Sequence, residues 1–221
     1  MNYKFGILTV VLIMILGFIK IFIKVKKMQS DISQCEKYRG KLGEFTDRLS
    51  KNDFSYQTFE YLNSKSCIIQ EIIGSFGIAA NYKPAYSNYF ISNYDIIVNE
   101  VNNLLNYHSN RYQKGISDSL IMIDSSLSKY IGYAQNKKDK LSKNLLNPFV
   151  WIREGIRAIV TFPIFFMYWT GIIEYSHYNK IQNNILFKVI GVIIGTLGFI
   201  ETLMAIVTGY QPFMNIIKSI I

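Results

Sequence analysis

The chain has 221 residues, half of them hydrophobic, with two cysteines, two histidines and a formal charge of +9, which is room for one modest domain plus membrane segments. The charge does not argue for nucleic acid. Residues 26–147 hold 16 Lys/Arg against 12 Asp/Glu, and the rest of the surplus lies in and beside the apolar ends, where basic residues act as topology signals and contacts for anionic lipid. The richness in Ile, Asn, Lys, Tyr and Phe suits an AT-rich bacterial coding sequence.

The first predicted element is a membrane span from Phe5 to Val25, interrupted late by Lys20 and Lys24. A single Lys precedes the apolar core, no small-x-small cleavage site follows it, and the positive charge comes after it. These features describe a retained anchor rather than a removed signal peptide. A helical stripe then runs through Met28, Ile32, Cys35, Leu42 and Leu49, with Tyr38 and Phe45 alongside, and it can continue directly from the span. A second stripe is marked by Tyr61, Leu62, Ile68, Ile69, Ile72, Ile73 and Phe76. Gly74 and Gly77 weaken its end, and a turn is expected at Asn81–Pro84. A third runs from Tyr86 through Phe90, Tyr94, Ile97, Val101 and Leu104 to His108. Gly115 breaks the pattern before a fourth stripe at Leu120, Ile123, Leu127, Tyr130, Ile131 and Ala134. All four have the helical period, and four such helices with short links suggest a bundle.

Two further spans are expected at Ile156–Ile173 and Phe187–Thr208, each about as long as a bilayer core requires. Pro163 should kink the first of them. Asn147-Pro148-Phe149 and Gln211-Pro212-Phe213 open two segments expected to lie along the membrane interface. Their anchors are Phe149, Trp151 and Arg153 in one, and Phe213 and Lys218 in the other. Lys20, Lys24, Lys26 and Lys27 close the first span, and Lys137, Lys138, Lys140, Lys143, Arg153 and Arg157 precede the second. The positive-inside rule therefore places the N-terminus outside, with the central domain and the C-terminus in the cytoplasm. There, in a reducing compartment, Cys35 and Cys67 should be free thiols.

The expected fold is an all-α membrane protein with three transmembrane helices. Residues 1–25 are the anchor, 26–146 a cytoplasmic helical-bundle domain, and 147–221 a C-terminal membrane domain. Gly191, Gly195, Gly198, Thr202 and Ala205 share one narrow side of the third span, a groove where another helix backbone can approach closely. Glu201 lies about 80° from Gly191 at the groove's edge. Lys20 and Glu201 are each roughly 21–22 Å from the outer face, and Arg157 lies toward the same side. Glu201 should therefore be neutralised by Lys20 or Arg157, or be protonated. On the first span, Gly17, Lys20 and Lys24 share a face.

No phosphate loop, nucleophile elbow, metal-ligand pattern or paired carboxylate is present, so no catalytic residue, metal or cofactor is expected. His108 reads as a core or edge residue, and His177 as part of an interfacial aromatic cluster. The leading expectation is a non-enzymatic membrane protein of the bacterial cytoplasmic membrane. Its helical domain would bind an unidentified cytoplasmic protein or sense a signal. Its spans would meet membrane lipid and assemble as a homo-oligomer or with a second membrane protein. The alternative is an oligomeric channel or membrane-disrupting effector with Glu201 lining the path.

Overall fold

The computed structural model describes residues 3–84, 88–105 and 113–174, together with 176, 184 and 193. It is mostly helical. In chain order it has α1 (Tyr3–Leu49), α2 (Tyr56–Ile73), a single 3-10 turn (Gly74–Gly77), β1 (Ile78–Tyr82), β2 (Ile91–Asp95), α3 (Ile96–Asn103), α4 (Gln113–Asn144) and α5 (Pro148–Trp169). The chain divides into two compact units. One is residues 26–140, and the other joins residues 1–25 to residues 141–221.

Within 26–140, the α1 stripe forms the heart of the core. Cys35, Tyr38 and Phe45 are fully buried, and Ile32, Leu42 and Leu49 nearly so. Ile123, Leu127, Tyr130, Ile131 and Ala134 of α4 join the same core, as do Phe59, Leu62, Ile69 and Ile73 of α2 and Ile97, Val101 and Leu104 around α3. These positions repeat every three or four residues, which is what lets one side of each helix leave water. Helices α1 and α4 run antiparallel, because rising positions on one meet falling positions on the other. Lys138 donates to Gln29, Gln135 to Glu36, and Arg39 grips Asp124 with a two-pronged bond at 2.7 and 3.2 Å. These exposed links fix register more than they stabilise. The buried Tyr38 hydroxyl donates to the Leu62 carbonyl at 3.0 Å, tying α1 to α2.

Helix α2 starts where Ser55 accepts from the Thr58 amide, as a capping serine does. It stops at Gly74, whose φ of +51° suits glycine. Here the structure departs from the sequence expectation. The third stripe is not one helix. Its front half is strand β2, paired antiparallel with β1 in the register Ile78↔Asp95 to Tyr82↔Ile91, and only Ile96–Asn103 is helical. The turn expected at Asn81–Pro84 also begins later, since Asn81 and Tyr82 belong to β1. Ile78, Tyr82, Ile91 and Tyr94 are strand formers, and pairing satisfies the backbone after α2 ends. In an unbroken ladder Tyr82 and Tyr94 would point to opposite faces. Asn93, at φ +53°, breaks the alternation, and the two rings stack at 4.0 Å. Gly115, expected as a break, lies inside α4.

In the other unit, the described helices are residues 3–25 of α1, the last turn of α4 and all of α5. Helix α1 is the one described helix long and apolar enough to cross a membrane, and only 11% of its most apolar stretch is buried. Asn147 caps α5 by accepting from the Phe149 amide, with Pro148 in the first turn. Helix α5 then runs unbroken to Trp169, through Pro163. The segment expected to lie along the interface and the segment expected to cross are therefore one helix. It ends four residues before Ile173, because Gly171 adopts φ +76° and the Ile172 amide turns back to the Met167 carbonyl at 2.9 Å, a glycine-terminated helix end. Apart from Ile193, the third expected span lies outside the described residues, as do the second interfacial segment, His108 and His177.

Candidate functional site

Where α1 and α5 meet, glycine lies against backbone. A Cβ on Gly17 would stand 1.8 Å from the Trp151 carbonyl oxygen, and one on Gly155 would stand 2.0 Å from the Ile13 carbonyl oxygen. Helices α1 and α5 thus touch main chain to main chain, which only residues without a side chain allow. Ile21, one turn beyond Gly17, is buried on the same side of α1. Phe18 meets the Trp151 ring edge-on at 5.2 Å. The Trp151 Nε1–H is buried and, among the described residues, donates to no acceptor.

The contact carries charge. Glu154, the residue before Gly155, is buried. Its carboxylate stands 3.8 Å from the Lys20 ammonium and 3.9 Å from Lys24, and Arg153 donates to its Oε1 at 3.3 Å. Among the described residues, none donates a hydrogen bond to Glu154 Oε2. Lys20 and Lys24 are four residues apart on α1, so both reach the same side. A carboxylate withdrawn from water this way needs its cations, since removing them would leave an uncompensated buried charge.

Around this contact, α1 and α5 expose large apolar side chains along much of their length. On α1 these are Leu8, Val11, Leu12, Ile15, Leu16, Phe18, Ile19, Phe22 and Ile23, and on α5 they run from Ile159 to Trp169. Soluble monomers seldom present contiguous apolar area on this scale.

The structure places the sequence-predicted residues as follows. Lys20 faces an acid, but among the described residues that acid is Glu154, which sequence reasoning did not single out. Arg157 is half-buried on α5, one turn after Glu154, and its carbonyl accepts from Thr161. Trp151 is at the glycine crossing. Arg153 and Phe149 are exposed on α5. Gly191, Gly195, Gly198, Thr202, Ala205, Glu201, Phe213 and Lys218 all lie outside the described residues. Glu154 could have been found by the argument applied to Glu201, an acid in an apolar stretch, but it falls just before the expected start of the second span.

Two buried polar groups in 26–140 were also missed. Gln70 donates from Nε2 to the Gly77 carbonyl and accepts the Ile97 amide at Oε1, both at 3.0 Å. One amide therefore holds the chain just before β1 and just after β2. Glu100 is 1% exposed. Its Oε1 accepts from Tyr94, and its Oε2 from Asn103 and Ser119. Burial, and after it the Glu100 charge, hold the Tyr94 phenol well above the usual tyrosine range. Tyr82, stacked on Tyr94, is raised for the same reasons. Both groups fasten the hairpin to the helices. Among the described residues no group of three His, Cys, Asp or Glu is placed to hold a metal. Compared with protein-family models, with curated proteins and with solved structures, the chain gives no match.

Proposed function

We propose that this is a non-enzymatic, multi-pass protein of the bacterial cytoplasmic membrane, whose spans hold the 26–140 domain on the cytoplasmic side to bind a protein partner or sense a signal. The observation that carries the reading is the contrast between the two units. The 26–140 unit closes its apolar side chains into a core. The other leaves the apolar faces of α1 and α5 open while closing a buried charge cluster beside a glycine contact. Lipid is the environment in which that distribution is favourable. In this reading the spans are residues 5–25 at the start of α1, residues 156–173 beginning within α5, and residues 187–208. The N-terminus lies outside and the C-terminus inside. The Gly191–Ala205 face serves assembly with a second copy or another membrane protein.

Membrane fractionation of the full chain tests the anchoring. The protein should stay in the pellet through an alkaline carbonate wash, and release into the wash would defeat the reading. Alkaline phosphatase fusions test the orientation. A fusion within residues 174–186 should be active and one within 137–143 inactive; the reverse pattern would invert the topology. The detergent-solubilised mass should exceed one chain if the spans self-assemble.

A further inference from the structure

One carboxylate serves three cations where α1 meets α5. Glu154 faces Lys20, Lys24 and Arg153, and Arg157 follows one turn later. Among the described residues, no second acid forms an ion pair with any of the four. Among the described side chains, the contact therefore carries more positive than negative charge. Neither lysine ammonium comes within hydrogen-bond distance of the carboxylate, and none of the described residues donates to Glu154 Oε2. Glu154 positions the ammoniums without consuming their N–H groups. Arg153 uses one nitrogen on Glu154 and keeps 67% of its side chain exposed, while Lys24 is half exposed.

We propose that Lys24 and Arg153, organised around Glu154, seat the phosphate of an anionic phospholipid. This rests on the membrane reading above and names the lipid class within it. The level in the membrane fits. The exposed apolar residues of α1 end at Ile23, immediately before Lys24, where an apolar stretch gives way to headgroups. Exposed Phe149 lies one turn before Arg153 on the same side of α5 and offers a surface to the first acyl carbons. The planar guanidinium suits two phosphate oxygens, and the lysine supplies a point charge. A zwitterionic headgroup brings its own cation and offsets none of the surplus, whereas an anionic one does. The glycine contact keeps the spacing of the two helices fixed, so the seat is built before the lipid arrives.

The test is native mass spectrometry of the full chain in mild detergent, offered phosphatidylglycerol or phosphatidylcholine at equal concentration. The wild type should retain phosphatidylglycerol about thirtyfold better, the value for two basic side chains at an anionic surface. The double variant Lys24→Gln/Arg153→Gln should lose that preference, whereas the control Lys51→Gln/Lys65→Gln should keep it. Glu154→Gln keeps the shape of the side chain but removes the charge that gathers Lys24 and Arg153, and should lower phosphatidylglycerol retention while leaving both cations in the chain. Equal retention of both lipids by the wild type would overturn the proposal. So would an undiminished preference in the double variant, or displacement of the lipid by inorganic phosphate. A chain that sediments with membranes yet shows no preference defeats this inference alone, whereas a chain that does not sediment defeats the anchoring as well.

Discussion

Replacing glycine by alanine should change sign with position. At Gly155 the added methyl would meet the Ile13 carbonyl oxygen at 2.0 Å, and ordinary contact begins at 3.4 Å, so α1 and α5 must part by about 1.4 Å. The obstacle is backbone, which cannot rotate aside as a side-chain tip can. Overpacking of this kind costs about 1–3 kcal/mol, and an immovable carbonyl places the cost toward the upper end. The gain in helix propensity offsets only about 1 kcal/mol of it. The same separation would carry Lys20 and Lys24, now at 3.8 and 3.9 Å, out of ion-pair range of Glu154. At Gly132 a methyl meets nothing within 4 Å, so alanine there should stabilise 26–140 by about 1 kcal/mol. The assay is thermal unfolding of the full chain in detergent, read by tryptophan fluorescence and by circular dichroism. Both tryptophans, Trp151 and Trp169, are on α5, so fluorescence reports on the α1–α5 contact and circular dichroism on the helices as a whole. Gly155→Ala should lower the fluorescence midpoint and shift the emission of Trp151, and Gly132→Ala should raise the dichroism midpoint. A Gly155→Ala chain with wild-type fluorescence and midpoint would refute the close contact.

Two further outcomes concern the hairpin. Because the folded state holds the Tyr94 phenol above its ordinary value of 10.0, the folded state keeps that proton longer than the unfolded chain does. This contribution to stability is complete below about pH 10 and is lost as pH rises beyond it. Urea unfolding between pH 8 and 11 should show that decline. Tyr94→Phe should be less stable at pH 8 by about 1–2 kcal/mol, through a lost hydrogen bond to a buried carboxylate, yet decline less above pH 10. An equal slope in both chains would sink the assignment. Gln70→Leu should cost about 2–4 kcal/mol, because the Gly77 carbonyl and the Ile97 amide would both lose their buried partner. Hydrogen exchange would detect it as faster loss of protection at Ile97, and unchanged protection there would count against the clamp.

The parts of this fold that were readable in the sequence are those set by periodicity and punctuation. The stripe from Ile32 to Leu49 identified the buried side of α1, and Leu127 to Ala134 did so for α4, because one repeat decides which side leaves water. Asn147-Pro148 marked a helix start through local chemistry alone. Gly17, Lys20 and Lys24 could be placed on one face of α1, but what met that face could not, since Glu154 lies more than a hundred residues away. The hairpin was missed because Tyr94 and Ile97 fit a helical repeat as well as a strand followed by a helix, and only pairing with Ile78–Tyr82 decides between them. Glu100 gave a usable signal that was not taken up. It lies among Ile97, Val101 and Leu104, on the apolar side of its own helix, where an acid must find hydrogen-bond donors.

The Gln70 clamp also bears on how this chain can change over time. The amide grips the carbonyl just ahead of β1 and the amide nitrogen just behind β2, so the neck of the hairpin is fastened independently of its length. Added residues between the strands then incur only the slowly growing entropy of a longer loop, about 0.6 kcal/mol for each doubling. The hairpin is thus a cassette on a fixed collar. A change of length between Tyr82 and Ile91 leaves both bonds of that collar, and the helices that carry it, outside the altered stretch.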